Sequence, residues 1–111
     1  MRRLVQAFKY SLNGFYTAWQ QETAFQQELL LSLVLVPLAV YIGDGGIRTL
    51  LMLISLGAVL VIELLNSALE AAVDHTSMQF HPMAKKAKDM ASAAVLLTII
   101  IAIGVWAWAW A

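Results

Sequence analysis

The 111-residue chain is 61% hydrophobic and 13% charged, its seven basic and seven acidic side chains cancel, and it has no cysteine. An average soluble domain carries about 25% charged residues, so a water-soluble fold is disfavoured; disulfides, thiol chemistry and Cys-based metal sites are excluded, and no basic run interleaved with aromatics points to nucleic acid as a partner. At about 20 apolar residues per membrane span, there is room for one membrane domain of three spans, an interfacial segment and brief loops.

Along residues 1–21, Leu4, Phe8, Leu12, Phe15 and Trp19 recur at spacings of three and four, while Arg2, Gln6, Lys9, Asn13 and Gln20 fall on the other side. This pattern predicts an amphipathic helix lying in the membrane interface with its basic face toward lipid head groups. The first apolar run begins at Leu29, too far in and with the wrong flanks for a signal peptide, so the spans themselves are expected to direct insertion. The uncharged run 29–43 is shorter than the roughly 20 residues a span requires, which moves the start of the first span back to about residue 24 and makes Gln26, Gln27 and Glu28 helical. Pro37 lies inside it, and a mild kink is expected there.

Gly43, Asp44, Gly45 and Gly46 read as a tight turn. The second span, 48–69, has an uncharged stretch only from 49 to 62, so it must carry Glu63 inside the bilayer, roughly 8 Å short of its inner end at 1.5 Å per residue. A polar loop is expected over 75–86, followed by a third helix over 84–111 with a cytoplasmic start. Arg2, Arg3, Lys9, Lys85, Lys86 and Lys88 share one side and Arg48 stands on the other, so the positive-inside bias makes the amino terminus cytoplasmic. Trp106, Trp108 and Trp110 then mark the outer interface as an aromatic belt.

Glu63, Asn66, Glu70 and Asp74 are spaced three, four and four apart, which aligns them as one polar stripe down the cytoplasmic half of the second span. Polar groups at such depth are costly and mark function by default; the alternative is that they join helices by hydrogen bonds. Two carboxylates and an amide with Lys88 and Asp89 nearby match the needs of phosphoryl transfer: hard oxygen ligands for Mg²⁺, an acceptor for the substrate's hydroxyl proton, and a cation for phosphate. The chain has no GxxxxGK segment and no kinase-type glycine-rich loop, so a nucleotide site would be built differently. His75 and His81 are too far apart to suggest a transition-metal site, Asp44 reads as a turn residue and Asp74 as a helix-end or loop contact. Ser67, Ala68, Ala71, Ala72, Ala91, Ala93 and Ala94 read as packing positions that allow close backbone approach.

The segment 63–74, Glu-Leu-Leu-Asn-Ser-Ala-Leu-Glu-Ala-Ala-Val-Asp, together with 87–95, Ala-Lys-Asp-Met-Ala-Ser-Ala-Ala-Val, closely resembles the prokaryotic diacylglycerol kinase family. Ala18, Trp19, Glu22, Ala24, Phe25, Gln27 and Glu28 look like that family's surface-helix region, so the resemblance covers essentially the whole chain. It implies an all-α membrane protein of the bacterial inner membrane, a surface helix plus three spans assembling as a homotrimer, with composite sites that bind MgATP at the cytoplasmic surface and phosphorylate diacylglycerol to phosphatidic acid. Carried over by motif, Glu63 is the general base, and Glu22 and Glu70 hold the metal. Arg3, Tyr10, Asn66, Gln79, His81, Lys88 and Asp89 complete the nucleotide site with them. Arg3, Trp19, Ala24, Glu28, Glu63, Ser92 and Trp106 contact the lipid. Gln79 stands where an acidic residue is usual, Gln26 where Arg is common and His75 where Arg often follows. A related branch phosphorylates undecaprenol and typically shows Asn-Phe-Arg and a His in place of Ala24, Phe25, Gln26 and Glu28; this chain has the diacylglycerol-type residues there, although it shares His81-Pro82 with that branch.

Two readings from other classes compete. A small cation-coupled transporter also needs an intramembrane Glu, but it has no use for Lys88 and Asp89 as phosphate-binding partners. In a structural membrane subunit the stripe would only pack. One three-helix chain has too little surface to enclose both a nucleotide and a lipid, which independently favours self-assembly.

Overall fold

The computed structural model describes residues 1–76 and 81–111, which form four helices: α1 (Arg2–Gln21), α2 (Thr23–Gly43), α3 (Ile47–Thr76) and α4 (Pro82–Trp110). Of these, α2, α3 and α4 are long and apolar enough to cross a membrane. At 1.5 Å per residue, α2 spans about 32 Å and α3 and α4 about 45 Å each, against a hydrocarbon core of about 30 Å.

The chain passes from α1 to α2 through one extended residue, Glu22 (φ −111°, ψ 106°). Its N–H still donates to the Ala18 carbonyl at 2.9 Å, and its own carbonyl accepts from Gln26 N–H at 3.1 Å. The Gln26 side-chain amide donates to the Trp19 carbonyl, and Ala18 and Phe25 are buried in the corner. Beyond it, α2 runs as one helix through Pro37.

The turn after α2 puts Asp44 (φ 58°) and Gly45 (φ 74°) in left-handed conformations, which an Asp tolerates and a Gly adopts freely. Thr49 locks this turn. From the first turn of α3, its hydroxyl donates to the Ala39 carbonyl on α2 at 3.0 Å and accepts from Gly45 N–H in the turn at 3.0 Å. Gly43 is required by space: a Cβ there would lie 2.3 Å from the Thr49 backbone nitrogen. Close by, Ala39, Met52 and Ala109 are fully buried, with Ile42, Leu53, Val105 and Trp106 packed around them. Arg48 reaches across to the Ala109 carbonyl at 3.4 Å, a cation at the negative end of α4. The three long helices are thus pinned together at the turn end.

The segment expected as a loop, 75–86, is helical at both described ends. α3 continues through His75 to Thr76, and α4 starts at Pro82. The physical reason is local: His81 Nδ1 accepts from Met83 N–H at 3.1 Å as an N-cap, and proline suits the first helical position because its missing N–H would be unpaired there anyway. The small residues divide between half-buried and outward-facing positions. Ser67 and Ala91 are half-buried, but Ala68, Ala71, Ala72, Ala93 and Ala94 face outward from the chain. Trp106 is likewise no simple belt residue, since its indole Nε1 turns inward to donate to Ser55 Oγ at 3.1 Å.

The chain exposes 8287 Å², whereas a compact soluble monomer of its mass exposes roughly 6,000 Å². Much of the excess is Leu, Ile, Val, Phe and Trp side chain on α1, α2 and α4, a surface that needs lipid or protein around it.

Candidate functional site

Heights along the bundle, counted from the turn end, organise the polar residues into two tiers. Glu28 on α2 and Glu63 on α3 lie about 22 and 24 Å from the turn, while Glu22, Lys88 and Glu70 lie at about 32, 33 and 35 Å. Three separate helices therefore bring acidic and basic groups to matching levels.

The lower tier is a carboxyl pair. Glu63 is 8% exposed, the buried charged side chain among the described residues, and the Glu28 carboxyl lies within hydrogen-bonding reach of it. Glu28 Oε2 is itself buried with no hydrogen-bond partner among the described residues. An unpartnered buried oxygen is costly. Glu28 also borders a groove of about 580 Å³ whose other walls include Leu31, Leu35, Leu60, Ile99 and Trp106. An amphipathic molecule with a polar head at Glu28 and a hydrocarbon tail toward Trp106 fits that distribution. Ser55, buried and donating to the Met52 carbonyl at 2.7 Å, fixes the Trp106 indole at the far end.

The upper tier continues the same face of α3. Asn66 Nδ2 donates to Glu70 Oε1 at 3.2 Å, and Asn66 Oδ1 is buried without a partner. Lys88 Nζ pairs with Asp74 Oδ1 at 2.7 Å and also lies within electrostatic reach of Glu70. The α3 stripe and the foot of α4 thus meet. Asp89 does not join them: its Oδ2 is paired with Lys85 Nζ at 2.5 Å, one turn back on the same helix.

The remaining sequence candidates are more scattered. Glu22 is half-buried at the α1–α2 corner, with its side chain free of any capping role. Arg3 and Tyr10 are exposed on α1 with no hydrogen bond or ion pair to the stripe among the described residues. Trp19 is 41% exposed and joins Phe15, Phe25 and Leu60 around a second, apolar recess. Ala24 and Ser92 are exposed, and His81 is engaged as the α4 cap through Nδ1, which leaves Nε2 to face outward. Gln79 lies outside the described residues. Among the described residues no three Asp, Glu, His or Cys side chains converge as a metal cage. The donors present, chiefly Glu70, Asn66 and Glu22, suit a hard cation that takes most of its shell from phosphate and water.

Two features were not read from the sequence as such. One is the Glu28–Glu63 contact between helices, and the other is the Asp74–Lys88 pair. The second had a signal: an acid in the last turn of one helix and a base in the first turns of the next.

Comparison with known proteins decides the family. Residues 9–110 match the family model described as "Prokaryotic diacylglycerol kinase". The chain belongs to that family. It is 48% identical over 103 residues to a protein named "Diacylglycerol kinase" from Pseudomonas aeruginosa, covering 90% of this chain and 83% of that one. It is 44% identical over 99 residues to the protein of that name from Helicobacter pylori strain 26695, covering 89% and 77%. It is 41% identical over 98 residues to the one from Escherichia coli K12, covering 88% and 80%. Within a prokaryotic diacylglycerol kinase fold, both tiers described above lie inside the matched segment.

Proposed function

We propose that the chain transfers the γ-phosphoryl group of ATP to the free hydroxyl of diacylglycerol, giving phosphatidic acid and ADP. The observation that carries this reading is the vertical order of the two tiers: a buried carboxylate, Glu63, next to Glu28, which borders an apolar groove, with Asn66, Glu70 and Lys88 above them. A hydrocarbon core of about 30 Å measured from the turn end takes in Glu28 and Glu63 and leaves Glu70, Glu22 and Lys88 just beyond it. The lipid hydroxyl then meets its base below the surface, and the nucleotide stays in water.

Glu63 accepts the hydroxyl proton as the hydroxyl oxygen attacks the γ-phosphorus and the bond to the β-phosphate oxygen breaks. Proton acceptance by a positioned carboxylate contributes about 10²- to 10⁴-fold. Glu28 faces Glu63 from α2 and helps orient the glycerol head. Glu70 and Glu22 hold Mg²⁺, which when bound neutralises charge on the ATP phosphates. Lys88 supplies a further cation to those phosphates. Asn66 keeps the Glu70 carboxylate aimed and offers its free Oδ1 to the nucleotide site. Arg3, Tyr10, His81, Asp89 and Gln79 act as outer nucleotide contacts. Arg3, Trp19, Ala24, Ser92 and Trp106 act against lipid.

The α1 helix lies at the cytoplasmic surface of the inner membrane, with the amino terminus inside. The large apolar exposure of one chain, and the outward-facing alanines of α3 and α4, support assembly as a homotrimer in which neighbours complete each site. Purified protein in mixed micelles with labelled ATP, Mg²⁺ and either diacylglycerol or undecaprenol tests the reading. Labelled phosphatidic acid supports it. Preferential labelling of undecaprenol would move the substrate to a polyprenol, and no labelled lipid at all would favour a transporter or a scaffold.

A further inference from the structure

Along the α3 stripe, Asp74 is the residue the proposed chemistry leaves without a task. Its carboxylate lies about 40 Å from the turn end, one helical turn beyond Glu70, and accepts from Lys88 Nζ at 2.7 Å. Both partners are well exposed, at 62% for Asp74 and 40% for Lys88, and pairs of that exposure add little to folding. What the pair does determine is where the ammonium rests. A lysine head sits on a flexible four-carbon stem and is not oriented by its backbone.

The neighbouring charges sharpen the point. Asp89 is adjacent to Lys88 in sequence, but its Oδ2 is paired with Lys85 at 2.5 Å. The two ion pairs therefore sort the two lysines. Lys85 is kept on its own helix, and Lys88 is turned across to α3, within reach of both Asp74 and Glu70. We infer that Asp74 is a positioning residue, which holds the Lys88 ammonium beside Glu70 so that the phosphates of an incoming nucleotide meet a cation already in place. This rests on the assignment of Lys88 to the nucleotide made above.

Asp74 acts through Lys88 and touches no reacting atom, so its loss weakens nucleotide binding more than turnover. In mixed micelles, Asp74→Asn raises the KM for ATP about two- to tenfold, the range for failing to pre-immobilise one rotamer-rich side chain, with kcat within twofold of wild type. Asp74→Glu, which keeps the charge, recovers most of that KM. In the double variant Asp74→Asn/Lys88→Ala the KM is no higher than in Lys88→Ala alone, because the two residues act as one unit. Circular dichroism checks that each variant is folded. An unchanged KM in Asp74→Asn, or effects that multiply in the double variant, overturns the inference while leaving Lys88 at the nucleotide. If Lys88→Ala itself leaves the KM for ATP unchanged, the underlying assignment fails instead.

Discussion

Replacing Gly43 by Ala tests the lock at the turn end, and the structure sets its cost. The added methyl would meet the Thr49 nitrogen and Oγ1 at 2.3 Å and the Thr49 Cα at 2.8 Å. Two of these atoms are backbone at the start of α3, so no side-chain rotation relieves the clash. Overpacking of this kind costs about 1–3 kcal/mol. The two hydrogen bonds on the Thr49 hydroxyl add about 0.6 kcal/mol each if lost, the average for such bonds in membrane proteins. The total of about 2–4 kcal/mol corresponds to a 30- to 1,000-fold rise in the unfolded fraction. Gly46→Ala is the matched control, since its added methyl meets only the Gly43 carbonyl oxygen at an ordinary 3.7 Å, and it should fall within about 1 kcal/mol of wild type. Reversible unfolding in SDS, followed by circular dichroism, measures both. The folded fraction of Gly43→Ala should keep its kcat, because Glu63 is about 20 Å away. Equal stability of the two variants would refute the account of the lock.

Glu70→Gln and Glu22→Gln should each shift the Mg²⁺ titration of activity to higher metal at fixed ATP, and an unchanged titration would count against both as ligands. Ser55→Ala and Trp106→Phe each remove the 3.1 Å indole–hydroxyl bond. Each should cost about 0.6–1.7 kcal/mol in SDS unfolding, and the double variant little more than either one; fully additive losses would show that the two residues do not act through each other.

Much of the fold was legible because its signals are local. The amphipathic spacing of Leu4 to Trp19, the turn residues 43–46 and the long apolar runs each depend on a handful of adjacent positions. The place of Glu63 inside a long helix was legible for a different reason: the uncharged run before it is too short for a span, so the helix has to run on past it, as α3 does. What escaped was pairing between helices. Nothing in the sequence near Glu28 says that its carboxyl meets Glu63, because that depends on how far α2 and α3 are shifted along one another. The same holds for Trp106, whose place in an apparent belt of alternating tryptophans hides a hydrogen bond to Ser55 on another helix. The partner of Asp89 was not legible either: it sits next to Lys88 in sequence, but its carboxylate pairs with Lys85, one turn back on the same helix. The loop expected over 75–86 was too long because its polar composition hides the fact that His81 and Pro82 together start a helix.

The most direct test of the catalytic account is Glu63→Gln, assayed in mixed micelles with diacylglycerol and MgATP labelled at the γ-phosphate. The amide keeps the size of the side chain and cannot take the hydroxyl proton, and removing one member of a facing carboxyl pair leaves the fold at least as stable. The account predicts a fall in turnover of at least about 100-fold with helicity and oligomeric state unchanged. Turnover near the wild-type rate would contradict it.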